Sequence, residues 1–436
     1  MASHAATIAT AERHPRGLYV LFATEMWERF SFYTMLAMFT LYLRDTTGQG
    51  FAWSSDRATG LYANYLMFVY ASPLIGGWLA DRVLGYRRAV MIGGLFFMAG
   101  HLLLSVRSEA IVYLALACLV VGNGFFKPNV SAMVGNLYPD GSHLKDRAYN
   151  IFYMGINVGA FLAPVVAEFV KSRFGFHPAF ALAAGGMVIS VLILWRLKHH
   201  IEGVDRPRGV STGAAPQPID AVPTPRRIAA LIVIYLIVII FWMVFHQNGS
   251  TMTYWANENT DWSVTGIISN AINPAWVILL TFPLVAVWRW LDRRGREPST
   301  PVKMMFGMLA TALAFFVLFL GARQGEGMVT GTDIYAYKVS PLWLLGAYGV
   351  LTVGELMLSP MGLSLVSKVA PAHLRGVMMG GWFVATAIGN KLTQIGQLWD
   401  DMPHSSFWLL LSGCAVVMAF VLMLLLKPLK KAMPGV

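Results

Sequence analysis

Long apolar runs recur from one end of this chain to the other. Each is about long enough to cross a bilayer as a helix, which takes roughly 20 residues at about 1.5 Å apiece. There are twelve, at approximately 17–43, 56–79, 85–106, 110–138, 146–168, 178–196, 227–249, 262–291, 302–321, 341–367, 377–400 and 405–427. Hydrophobic residues make up 56% of the 436, charged residues only 13%, and the mean hydropathy is +0.58, a balance that excludes an ordinary soluble domain. A transmembrane barrel would show short alternating segments instead. The expectation is an all-α membrane protein with twelve transmembrane helices. The first run extends to Tyr42 with no small-residue cleavage site after it, so it reads as a retained helix.

Basic residues gather in alternate loops. Arg82, Arg87 and Arg88 lie between runs two and three, Arg289, Arg293, Arg294, Arg296 and Lys303 between runs eight and nine, and Lys427, Lys430 and Lys431 in the tail. The intervening loops are poorer, and 250–261 carries no Lys or Arg. The positive-inside rule then places both termini in the cytoplasm, consistent with an even number of spans. Because the net charge of +11 is spread over short loops, it gives no sign of a nucleic-acid partner. The partner it implies is membrane lipid.

Residues 203–226 are rich in Pro, Gly and small polar side chains, a linker composition. They divide the chain into an expected six-helix bundle at 1–196, a cytoplasmic linker at 197–226 and a second six-helix bundle at 227–436. Carriers of the major facilitator type share this plan, with a cavity between two bundles. Gly76-Gly77-Trp78-Leu79-Ala80-Asp81-Arg82-Val83-Leu84-Gly85-Tyr86-Arg87-Arg88, at the turn between runs two and three, resembles the signature loop of that superfamily. Its glycines allow close helix approach, and Asp81 is placed to cap or pair across the turn.

Five ionisable residues interrupt the apolar runs: Glu25, Glu28 and Arg29 in the first, Lys127 in the fourth and Glu355 in the tenth. Charge at membrane depth is costly, so such groups face one another or a polar cavity. Glu25, Glu28 and Arg29 are spaced i, i+3, i+4 and share one helical face. A carboxylate at that depth can pair with a cation in one state and take a proton in another, which would tie protonation to conformation. Lys127 and Glu355, on opposite walls of a cavity, would orient a zwitterion by charge at both ends.

At this point the residues resemble a known family, the proton-dependent oligopeptide transporters of the major facilitator superfamily. The matching segments run in order along the chain: Glu25-Met26-Trp27-Glu28-Arg29-Phe30-Ser31-Phe32-Tyr33, Gly124-Phe125-Phe126-Lys127-Pro128-Asn129, Phe152-Tyr153-Met154-Gly155-Ile156-Asn157, Phe241 to Ser250, Glu355 to Ser359, and Met379-Gly380-Gly381-Trp382-Phe383. The resemblance implies a symporter importing di- and tripeptides with protons by alternating access across the bacterial cytoplasmic membrane. It implies no cofactor or metal and a functional monomer. It also implies that Glu25, Glu28, Arg29 and Lys127 carry proton coupling, and that Tyr33, Tyr70, Lys127, Asn157, Asn273, Glu355, Ser359 and Trp382 line the substrate site. The residue matching Glu355 receives the peptide amino terminus, and Lys127 helps hold the carboxylate.

Three departures stand out. Leu36 occupies a position where the family often has arginine, His246 one that is usually acidic, and Phe32 one that is usually tyrosine. In several members the first two form a salt bridge closing the outer gate. Here the expectation is a gate closed by packing around Leu36 and His246. His246 could be a neutral packed side chain, a titrating group or a direct substrate contact. The linker is too short and polar for the extra helix pair of fourteen-helix members. A related carrier of an amino acid, nitrate or organic anion is the alternative function. An enzyme is disfavoured, since neither a metal cluster nor an activated nucleophile is visible. Lys391, inside the eleventh run, has no evident partner in the sequence.

Overall fold

The structure is a computed structural model describing residues 14–138, 144–205, 222–371 and 374–434. It contains twelve spans, numbered here in chain order. Spans 1 to 6 are Arg16–Arg44, Ser55–Leu79, Tyr86–Leu104, Glu109–Asn136, Leu144–Phe174 and Phe176–Arg196. Span 7 comprises Thr224–Phe245, a 3-10 turn His246–Gly249 and a further helix Thr251–Glu258. Spans 8 to 12 are Ser269–Asp292, Thr300–Glu326, Pro341–Val369, Arg375–Leu392 and His404–Ala432, with span 11 continuing as 3-10 turns over Thr393–Asp400. The chain is thus a multi-pass, all-α membrane protein.

Nine of these elements are long and apolar enough to cross a membrane by length and composition alone. Spans 1, 2 and 11 are the remainder; span 1 is largely buried, and spans 2 and 11 stand where the two halves meet while leaving residues such as Ile75 and Val377 exposed. Span 1 packs on spans 5 and 6, and span 2 lies between span 4 of its own half and span 11 of the other. A helix that faces protein and a polar cavity has less need of an apolar surface.

Proline and glycine shape the interior. Pro128 has no N–H to give the carbonyl of Gly124 one turn back. Span 2 approaches that carbonyl so closely that a Cβ on Gly76 would lie 2.0 Å from it. The close approach expected of this glycine segment is therefore made by backbone against backbone. The turn after span 2 is a short π-helical stretch, Ala80–Leu84, ended by Gly85 at φ 74°. Asp81 pairs across the turn with the Tyr86 side chain, and the backbone cap comes from elsewhere. Asp205, beyond span 6, accepts from the Arg87 N–H through its carboxylate at 2.6 Å, and from the Tyr86 N–H through its carbonyl at 3.1 Å.

That contact bears on the expected linker. Residues Lys198–Ile201 form a 3-10 turn, and the His200 carbonyl packs against Gly17 at the start of span 1. Span 7 begins at Thr224, three residues before the expected boundary. The linker stretch 206–221 lies outside the described residues.

The first six spans meet the last six mainly through span 2 against span 11 and span 5 against span 8. Among the described residues, the hydrogen bonds and ion pairs joining the two sets run from mid-membrane to the end opposite the termini. They include Thr40 Oγ1 to the Gly249 carbonyl at 3.0 Å, Thr59 with Tyr254 at 3.1 Å, Gln397 to the Asp56 carbonyl at 3.0 Å, and Thr265 N–H to Glu168 at 3.0 Å. The molecule is closed at that far end.

Candidate functional site

Span 1 carries its three ionisable residues almost fully inside, Glu25 at 1%, Glu28 at 0% and Arg29 at 3% exposure. Arg29 forks onto its neighbour. Its Nε and Nη2 both donate to the Glu28 carboxylate, the latter at 2.5 Å, while Glu25 Oε1 stands 3.5 Å from Nε. The second Glu25 oxygen has no hydrogen-bond partner among the described residues. The guanidinium also lies over the Phe32 ring at 4.8 Å and the Tyr33 ring at 6.0 Å. A buried planar cation thus has two carboxylates in reach, one forked onto it and one at a longer distance.

Lys127 comes from span 4, immediately before the helix-interrupting Pro128. Asn129 Nδ2 and Ser131 Oγ bond back to the carbonyls of Phe125 and Lys127, at 2.7 and 3.2 Å, steadying the helix around the proline. The ammonium sits 4.6 Å from the centre of the Tyr70 ring, a cation–π contact. Glu25 and Glu28 are within its electrostatic range. Neither reaches it as an ion pair, and among the described residues Lys127 has no such partner.

Glu355 comes from span 10, five residues before Pro360. Asn273 of span 8 donates through Nδ2 to Glu355 Oε2 at 2.8 Å and to Thr352 Oγ1 at 2.9 Å. Asn273, like Lys127, directly precedes a proline inside its helix, Pro274. Glu355 too lacks an ion-pair partner among the described residues. Tyr33, Tyr70 and Tyr153, all from the first six spans, lie within electrostatic range of Glu355. Tyr70 touches Lys127 and is one of the tyrosines within electrostatic range of Glu355. Among the described residues neither Lys127 nor Glu355 is held in an ion pair, and tyrosines of the first six spans stand near both.

The remaining expected residues are placed less uniformly. Asn157 donates to the Tyr153 carbonyl at 2.9 Å and, with Tyr153 and Arg289, lines a small cleft between spans 5 and 8. Ser359 is one helical turn beyond Glu355, on the same face. Trp382 is buried at 3% exposure, edge-on to Tyr235 and seated on Gly362. Its described contacts are with its own half and do not include Lys127 or Glu355.

His246 ends the first helix of span 7 and stacks on Trp242, with ring centroids 5.1 Å apart and Tyr70 at 5.7 Å. Its Nε2 has no partner. Leu36 is buried in the apolar core of the first half. Besides the packing around Leu36 and His246, spans 1 and 7 are also joined by charge. Arg44 Nη1 meets Glu258 Oε1 at 2.7 Å, two turns beyond Leu36. Lys391 has a partner across the halves, the Asn64 amide oxygen at 2.5 Å.

Sequence reasoning left out Tyr153, Asn64, Arg44 and Glu258. Tyr153 sits inside a motif already singled out. The others are polar residues in or beside apolar runs, and their partners are hundreds of residues away.

Comparison with known proteins bears on the family and the fold. The pattern of the POT family matches residues 87–206 and 215–424. The uncharacterized transporter YclF of Bacillus subtilis (strain 168) is 31% identical, over 97% of this chain and 96% of that one. A di-/tripeptide transporter of Lactococcus lactis subsp. lactis (strain IL1403) is 29% identical, over 97% of each. The crystal structure of a peptide transporter POT in complex with sulfate superposes with a TM-score of 0.86 at 28% identity, covering 97% of this chain and 96% of that one. Matched in sequence and in fold along nearly its whole length, the chain belongs to the POT family.

Proposed function

We propose that this protein is a proton-coupled symporter of di- and tripeptides that works by alternating access around a single cavity. The observation that carries the reading is the pair Lys127 and Glu355, opposite in charge and each without an ion-pair partner among the described residues, with Tyr70 against Lys127. A peptide zwitterion supplies both missing counter-ions. Its carboxylate pairs with Lys127 and its ammonium with Glu355, which Asn273 holds in place. A bare anion such as nitrate would satisfy Lys127 and leave Glu355 uncompensated, so nitrate and organic anions fit less well; a free amino acid carries both charges and is separated from a peptide by the uptake test below. Relatives named as di-/tripeptide transporters and as dipeptide and tripeptide permeases support the same substrate class.

Coupling follows from the Glu25–Glu28–Arg29 group. A proton on Glu28 cancels its charge and frees Arg29 to turn toward Glu25 or an incoming carboxylate. Proton and peptide are then bound together, because each removes a charge that the other would oppose. Loss of both restores the fork and resets span 1. The two-bundle division, 1–196 and 227–436 about the linker 197–226, provides the moving parts, and one copy contains the whole cavity. The termini face the cytoplasm of a bacterial inner membrane, since Arg82, Arg87, Arg88, Arg289, Arg293 and the tail lysines all lie at that end. This state is then closed toward the outside.

The test is uptake into proteoliposomes with an imposed inward proton gradient. A labelled dipeptide should accumulate and a protonophore should abolish the accumulation. Gradient-driven uptake of nitrate or a free amino acid, with peptides neither transported nor competing, would overturn the reading.

A further inference from the structure

Away from the cavity, spans 3 and 6 pack side by side and present many exposed apolar residues, among them Leu95, Phe96, Val188 and Leu192. At the termini end of this seam lies a cleft of ≈ 320 Å³. Its floor is Met91, Ile92 and Leu194, and Arg87, Arg88 and Lys198 stand around it. Trp195, half-exposed at 57%, forms one side. Two acids stand nearby and are both engaged: Asp205 gives its carboxylate to the Arg87 backbone N–H, and Asp81 bonds the Tyr86 side chain. Among the described residues none of the three cations has an ion-pair partner. Three cations without an ion-pair partner among the described residues thus sit above an apolar floor that continues into the lipid-facing surface, beside a tryptophan of the kind that settles at headgroup level.

We propose that this cleft is a binding site for an anionic phospholipid. The headgroup phosphate meets Arg87, Arg88 and Lys198, and an acyl chain lies along the seam between spans 3 and 6. Both halves of the ligand are specified. A free phosphate would engage the cations but gain nothing from the floor. A zwitterionic phosphatidylcholine would fill the seam while bringing its own cation to a basic rim. Basic pockets between transmembrane helices select acidic lipids on these grounds. None of the lining residues belongs to the cavity, so the proposal stands apart from the transport reading.

The experiment counts lipid retained by the purified full-length protein. Protein is exchanged into phosphatidylcholine nanodiscs containing a minor fraction of phosphatidylglycerol, and annular enrichment is measured by native mass spectrometry. The variant Arg88→Gln/Lys198→Gln removes two exposed cations from the cleft, and Lys430→Gln/Lys431→Gln removes two from the tail as a charge-matched control. Phosphatidylglycerol enrichment should fall at least threefold in the first and stay near wild type in the second. Inorganic phosphate at millimolar concentration should not displace the lipid. Equal losses in both variants would mean diffuse surface charge, and no loss in either would mean no site. Displacement by phosphate would mean a free-anion site. Each of these three results overturns the proposal. Peptide uptake in phosphatidylcholine alone, expected unchanged, confirms that the variants are folded.

Discussion

Arg44 at the far end of span 1 and Glu258 at the far end of span 7 are joined at 2.7 Å, with the guanidinium also 4.1 Å from the centre of the Tyr254 ring. The two side chains are 19% and 40% exposed, so solvent screens the contact. Its worth is about 0.2–1 kcal/mol, up to roughly a fivefold bias toward closure. Glu258→Gln should raise the labelling rate of a cysteine at Thr59, which lies fully buried beneath the contact, by up to about fivefold in a background without Cys118 and Cys414. The exchange Arg44→Glu/Glu258→Arg should restore the slow rate. Unchanged labelling in Glu258→Gln would show that the far end is closed by packing alone.

Glu28→Gln should abolish gradient-driven accumulation while sparing counterflow exchange, which needs no net proton movement. The amide keeps the shape of the carboxyl group but cannot take up and release the proton. Accumulation undiminished in this variant would remove Glu28 from the coupling path.

Asn273→Ala removes the amide that bonds Glu355 and Thr352. A hydrogen bond to a charged group contributes about 1.5–3 kcal/mol, part of which the substrate ammonium replaces. The apparent affinity should weaken by about threefold to tenfold. In a Glu355→Ala background the same change should have little further effect, because the two residues act as one unit. Full additivity would mean that Asn273 contributes through a separate contact.

His246 touches aromatic rings and makes no ion pair among the described residues. His246→Gln should therefore keep the midpoint of the uptake profile between pH 5 and pH 8, with any loss of rate uniform across it. A shifted midpoint would identify the ring as a titrating part of the gate.

The spans were legible because a bilayer imposes length and apolarity on every helix that crosses it. They were least legible where that constraint is relaxed. Thr251–Glu258 is polar and reads as loop, yet it continues span 7 as helix, packed at the closed end where Tyr254 and Trp255 are buried. In the site, the charged residues announced themselves by their depth. Their pairings did not. Spacing put Glu25, Glu28 and Arg29 on one face without saying that Arg29 would fork onto its immediate neighbour. The Arg44–Glu258 and Lys391–Asn64 contacts depend on how the two halves meet, which no local pattern encodes. Trp382 shows the converse: its motif is plain in the sequence, but the side chain is seated on Gly362.

The central claim is that Glu355 and Lys127 take opposite ends of one peptide. It is tested most directly by competition between dialanine and amino-terminally acetylated dialanine, on the unmodified protein and on Glu355→Gln. Acetylation removes the ammonium and leaves the carboxylate. On the unmodified protein the free peptide should compete at least tenfold more strongly, as expected for about 1.5–3 kcal/mol of charge-assisted bonding. In Glu355→Gln that preference should collapse, with the acetylated peptide little affected. Equal competition by the two peptides on the unmodified protein, or a preference that survives intact in Glu355→Gln, would contradict the account.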